Sequence, residues 1–224
     1  MVAYGELLPL NVLHTATVAP LNLHFSLLPE LRGASPVQTA LLIELEETGV
    51  TTILMDEGLD TGPIMLQRRE PIGPADDAGT LGARLAAVGG GLLVETVDLL
   101  ADGPVAPRPQ DHSIATTAPK FGPEDRVLDW SNTARVLVNL TRALSPEPAV
   151  TTVFRGEPLK VFRAEQVNES GEPGRIVKVT PEGIVIAAAQ GAYRPTDVAP
   201  AGRKRMSGAD LVNGLRPEVG ERLG

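Results

Sequence analysis

Polar and apolar positions alternate along "LNLHF", Leu21–Phe25, so Asn22 and His24 share one face of an extended chain. This predicts a short buried strand over "PLNLHFS". The stretch "PVQTALLIE" switches to helical spacing, with Pro36 at its first turn, where a missing N–H is tolerated. Two β-rich runs follow, "TGVTTILMDE" and the partly alternating "GPIMLQRREPI". A long helix is then predicted over "DAGTLGARLAAVGGGLLVETVDLLADG", with Asp77 able to cap its start and Gly103 ending it. Gly89–Gly91 lowers helix propensity in its middle, so close packing on the sheet is expected there. No Gly-Lys-Ser/Thr follows, so it is no phosphate loop.

Beyond residue 103 the texture changes. "PVAPRPQDHSIATTAPKFGPED" is rich in Pro and polar residues and reads as a linker. "SNTARVLVNLTRALS" predicts a helix with Ser131 as N-cap. Short β-rich stretches then come between turns: "AVTTVFRG", "PLKVFRAEQV" and "GRIVKVTPEGIVIAAAQG". The pattern predicts an α/β protein: the later part of a doubly wound, Rossmann-like sheet over 1–104, a linker over 105–118, and an OB-type β-barrel over 119–224.

Composition refines this. With 42% hydrophobic and only 3% aromatic residues, the core of this 224-residue chain must be built from Val, Leu, Ile and Ala. Cysteine is absent, which excludes disulfides and thiolate chemistry and fits a cytoplasmic protein. No run of 18 apolar residues occurs and "MVAYGELLPL" lacks a basic n-region, so neither a membrane span nor a signal peptide is expected. The net charge of −8 argues against indiscriminate nucleic-acid binding, DNA included. The charge is uneven, however. Residues 1–118 carry five basic and fifteen acidic side chains, whereas 119–224 carry fifteen and thirteen. Arg203-Lys204-Arg205 lies in that second, mildly basic half; it is either a solvated charge run or an RNA contact.

In a doubly wound sheet the ligand crevice lies outside the carboxyl ends of the strands, which is where Asn22 and His24 fall. Asp60, in "MDEGLDTGPIM" between Gly58 and Gly62, follows the next β-rich run. An amide donor, an imidazole and a carboxylate at neighbouring strand ends suit acyl transfer by direct amine attack. Asn22 and His24 would stabilise the oxyanion, and His24 with Asp60 would handle the proton. The same spacings also fit a structural histidine and a turn aspartate. His14 and His112 have no partner pattern, and Asp56-Glu57 lacks the histidine spacing of a metal site, so no metal is expected.

The motifs taken together resemble the folate-dependent formyltransferases, and within them the branch acting on methionyl-tRNA. They are Asn22-x-His24, Ser26-Leu27-Leu28-Pro29, Arg32-Gly33-Ala34-x-Pro36 and Asp60-Thr61-Gly62. "RVLDWSNTARVLVNLTRALSPEPAVTT", "GEPLKVFRAEQV" and "PAGRKRMSGADLVNG" resemble the carboxyl-terminal part of the same family.

The resemblance implies transfer of the formyl group of 10-formyltetrahydrofolate, as co-substrate, to methionine on initiator tRNA. It implies Asn22, His24 and Asp60 as catalytic residues. Ser26, Leu27, Leu28 and Pro29 would lie along the folate, with Tyr4 and Gly5 walling its pteridine pocket. Arg203, Lys204 and Arg205 would meet tRNA phosphates. Against the family pattern, the chain opens on what reads as the end of a strand, and "SPEPAVTTVF" replaces a more aromatic stretch. Two other readings follow: a remnant lacking the first part of the catalytic domain, inactive or only tRNA-binding, and a formyltransferase or formyl-folate hydrolase with another substrate.

Overall fold

Alternation around Asn22 folds as expected. In the computed structural model, which describes residues 10–13, 15–103 and 105–224, strand β1 is Leu21–His24, after a single helical turn α1 (Leu10–Leu13). Helix α2 (Pro36–Leu42) follows, then β2 (Glu47–Leu54) and β3 (Ile64–Pro71). The three strands form one sheet in the order β1-β2-β3, with both pairings antiparallel.

This corrects the expectation of a doubly wound parallel sheet for these strands. A parallel crossover is usually built on a long helix laid over the sheet. Here the connection from β1 to β2 is mostly irregular, with only the seven-residue α2 in it, and β2 pairs with β1 antiparallel, His24 opposite Thr51 and Leu21 opposite Leu54. The nine residues between β2 and β3 make a hairpin connection instead.

Helix α3 (Ala78–Asp102) matches its predicted span. Leu81, Leu85, Gly89, Leu92 and Thr96 form its buried stripe, the three-and-four spacing of one helix face. Close packing explains only Gly89: a Cβ there would lie 2.7 Å from a methyl of Leu23 on β1. Gly90 and Gly91 face open space. Gly103, at φ +142°, ends the helix in a conformation that favours glycine.

Chain contacts group Met1–Asp76 with Thr80–Lys120 as one unit, and Asp77–Gly79 with Phe121–Gly224 as a second. The supposed linker thus belongs to the first unit. Arg108 exchanges both backbone hydrogen bonds with Ile64, and residues 116–118 bond to Leu31, Arg32 and Ser35. A polar, Pro-rich composition describes such a strap as well as it describes a free connector.

The second unit opens with helix α4 (Ala134–Leu144), capped by Thr133, whose hydroxyl accepts from Val136 N–H. Ser131, the expected cap, instead donates its N–H to Asp129. Strands β4 (Val150–Phe154), β5 (Glu157–Val167), β6 (Ile176–Thr180), β7 (Gly183–Ala187), β8 (Ala192–Pro200) and β9 (Met206–Ser207) form the second sheet, and helix α5 (Gly208–Leu215) follows. The sheet runs β4-β5-β8-β7-β6, with β9 on β8. A closed OB-type barrel is therefore not formed: β4 and β6 are not paired with each other. The C-terminal residues bond to both of these ends instead. Gly224 N–H donates to Val153, and Ile176 N–H donates to Glu221.

Strand β8 escaped the sequence pattern because it carries Pro195 and Pro200. Pro195 is tolerated because its partner strand is irregular there, with register shifts around Arg163. Leu137, Leu144, Val161, Ile184, Tyr193 and Leu211 are among the residues of this unit's core. No helix among the described residues is long and apolar enough to cross a membrane.

Candidate active site

Asn22 and His24 point to the same face of β1 and are 8% and 6% exposed. Pairing with β2 sets Asn22 opposite Ile53 and His24 opposite Thr51. The chain leaves β2 into the loop holding Asp60, which Leu54 N–H closes at its base on Pro63. Asp56 shapes this loop by accepting from Gly58 N–H and the Thr61 hydroxyl, a turn-forming role. Gly62 has no room for a side chain, since a Cβ would lie 1.8 Å from the Leu54 carbonyl oxygen.

Asp60 has φ +54°, a left-handed conformation that aspartate tolerates better than most residues. Its carboxylate is the hub of the site. Oδ1 accepts from Asn22 Nδ2 at 3.3 Å, and Oδ2 accepts from Gly33 N–H at 2.9 Å. His24 Nδ1 lies 3.5 Å from Oδ2, just beyond a direct hydrogen bond. The other ring nitrogen, Nε2, is 2.9 Å from the Leu31 carbonyl oxygen. A carbonyl can only accept, so Nε2 carries a hydrogen and Nδ1 is the nitrogen turned to Asp60.

The segment Ser26–Pro29 is held from below. Ser26 is fully buried, and its hydroxyl donates to the Glu30 carbonyl. Thr51 accepts from Leu28 N–H and donates to the Ser26 carbonyl. Gln67 donates to the Leu28 carbonyl at 2.8 Å, while Arg108 donates to Gln67. Leu28 itself is buried with Ile53 and Ile64. Leu27 packs over Gly49 of β2, where a Cβ would fall 2.5 Å from a Leu27 methyl. Leu27 and Pro29 are the half-buried members of the segment. Tyr4 and Gly5 lie outside the described residues, as does His14.

Two other groups complete the site. Gly33, at φ +119°, sits under the strap, and a Cβ there would lie 2.7 Å from the Ala118 carbonyl oxygen. Gln110, buried within the stretch read as a linker, donates to the carbonyls of Asp60 and Gly62 and accepts from Arg32. Neither periodicity nor spacing marks Gln110, because its partners lie 48, 50 and 78 residues away. His112 is exposed in a 3-10 turn, away from these groups' hydrogen bonds.

In the second unit, the basic cluster divides. Arg203 and Lys204 are exposed. Arg205 is exposed as well, but it makes a two-pronged ion pair with Asp197, at 2.7 and 2.5 Å, and stacks 4.3 Å from the Phe162 ring centre.

Similarity to known proteins follows the same division. Residues 1–97 match the formyl transferase family, and residues 120–216 match the formyl transferase C-terminal domain family. A methionyl-tRNA formyltransferase of Solibacter usitatus is 41% identical over 226 residues, covering 100% of this chain and 72% of that protein. The chain belongs to the methionyl-tRNA formyltransferase family. The Bacillus licheniformis methionyl-tRNA formyltransferase is 42% identical over 225 residues, 99% of this chain and 71% of its own length. As a member of this methionyl-tRNA formyltransferase family, the chain is a formyltransferase.

Solved structures share the fold. HypX from Aquifex aeolicus, in complex with tetrahydrofolic acid, has a TM-score of 0.71 at 19% identity, over 96% of this chain and 38% of that one. Methionyl-tRNA formyltransferase from Clostridium thermocellum has a TM-score of 0.58 at 23% identity, over 72% of this chain and 69% of that one.

Proposed function

We propose that the chain transfers the formyl group of 10-formyltetrahydrofolate to the α-amino group of methionine on initiator tRNA. The observation that carries this reading is the convergence of Asn22, His24 and Gly33 on the Asp60 carboxylate. The amine nitrogen attacks the formyl carbon, and the bond between them forms. The formyl oxygen becomes an oxyanion. Asn22 Nδ2 carries two hydrogens, one turned to Asp60 and one left to meet that oxyanion. The proton lost by the amine passes to the His24–Asp60 pair. The bond from carbon to folate N10 then breaks, and N10 leaves with a proton, giving tetrahydrofolate and the formamide.

The folate would lie along Leu27 and Pro29. The backbone groups of Ser26, Leu28, Glu30 and Leu31 already bond within the protein, so this segment would offer an apolar wall rather than donors. Arg203 and Lys204 fit weak, salt-sensitive contacts to tRNA phosphates.

The test is a formylation assay with 10-formyltetrahydrofolate and two acceptors, methionyl-tRNA and a nucleotide-linked amino sugar. Formyl-methionyl-tRNA as product supports the reading. Formylation of the sugar alone, or release of formate with neither acceptor modified, overturns it.

A further inference from the structure

We infer that Gln110 is a positioning residue for Asp60, an inference that rests on the proposed formyl transfer. Its side chain is 6% exposed and uses its whole hydrogen-bonding capacity. Nε2 donates to the Asp60 carbonyl at 2.8 Å and to the Gly62 carbonyl at 2.7 Å. Oε1 accepts from Arg32 Nε at 3.1 Å and from Arg32 Nη2 at 2.6 Å. The arginine fork fixes which end of the amide faces the loop, so the NH₂ end is aimed at the two carbonyls.

The circuit closes on itself. Arg32 precedes Gly33, whose N–H binds the Asp60 carboxylate. Asp60 is thus held twice from the same place, through its backbone by Gln110 and through its side chain by Gly33. A left-handed non-glycine residue needs such support, because the conformation is disfavoured on its own. Releasing the backbone anchor would let the loop relax and carry the carboxylate away from His24 and Asn22. The hydrogen bonds of Gln110 go to Asp60, Gly62 and Arg32 rather than to these two side chains, so it acts through the Asp60 loop.

Gln110→Glu tests this selectively. It keeps the size and the acceptor for Arg32 but turns an oxygen, in place of the NH₂, to two carbonyls. The expected result is a fall in kcat of at least about 10-fold, with KM for 10-formyltetrahydrofolate within about 2-fold. In the Asp60→Asn background the same change should slow the enzyme by no more than about 2-fold, because the group it positions is already lost. Multiplicative losses in the double variant, or wild-type kcat in the single one, overturn the inference. If Gln110→Glu does not fold, Arg32→Met releases the same circuit and is held to the same cycle with Asp60→Asn. A wild-type chain without formyl transfer defeats the proposed function instead. Positioning is then read from the ring ¹⁵N resonances of His24, assigned with His24→Ala. Movement of these resonances in Gln110→Glu supports the inference, and unmoved resonances overturn it.

Discussion

Asp60 and Gly33 meet through one hydrogen bond, Gly33 N–H to Asp60 Oδ2 at 2.9 Å, which ties the loop after β2 to the turn that follows His24. Both residues have positive φ, +54° and +119°. Asp60 needs support from its surroundings in that conformation, whereas glycine adopts positive φ freely, and the bond between them holds the two turns to each other.

Gly33→Ala breaks this mutual support. The added methyl would meet the Ala118 carbonyl oxygen at 2.7 Å, in a backbone conformation that L side chains rarely adopt. The expected result is a loss of about 1–3 kcal/mol in stability, read from the urea midpoint, together with a lower kcat.

His24→Ala removes the imidazole beside the carboxylate hub, and Asp60→Asn removes the charge. Each should reduce formyl transfer by about 100-fold or more, since each deletes a group acting on the proton or the oxyanion. Far-UV circular dichroism of Asp60→Asn should match wild type. Undiminished turnover in His24→Ala would end the assignment of that residue.

Asp76 sets an acid limit. Arg84 grips its carboxylate with two hydrogen bonds at 2.9 and 2.8 Å, and Gly73 N–H adds a third at 2.7 Å. The Arg84 guanidinium lowers its pKa to about 2, despite burial acting in the opposite direction. The unfolded chain binds this proton more readily than the folded one. The stabilisation is therefore complete above about pH 4 and is lost as the pH falls towards 2, amounting to about 2 kcal/mol. Asp76→Asn should lower stability at pH 7 and flatten its dependence on pH between 4 and 2 in urea titrations.

Arg205 and its neighbours should separate experimentally. Arg203→Ala with Lys204→Ala should weaken tRNA affinity and flatten its salt dependence, as expected when phosphate contacts are removed. Arg205→Ala should instead lower the melting temperature, because it strips the partner of Asp197 and uncovers the Phe162 ring. An unchanged salt slope in the double variant would make Arg203 and Lys204 a solvated face.

Much of this protein is local, and the sequence by itself determined that part. The stripe from Leu81 to Thr96 requires one buried helix face, so α3 follows from residues three and four apart. Alternation set Asn22 and His24 on one side of β1, and the motif around them carried the family resemblance. Tertiary structure decided what depends on distant partners. The antiparallel pairing of β2 with β1 is set only where the two strands meet, and the place of β8 in the sheet depends on an irregularity in β5 opposite Pro195. Gln110 reaches Asp60 across 50 residues, and Arg205 is engaged by Asp197 on a neighbouring strand. Periodicity reports which face of an element is buried, because that depends on near neighbours. It is blind to hydrogen bonds between elements, which exist only once the chain has closed the distance.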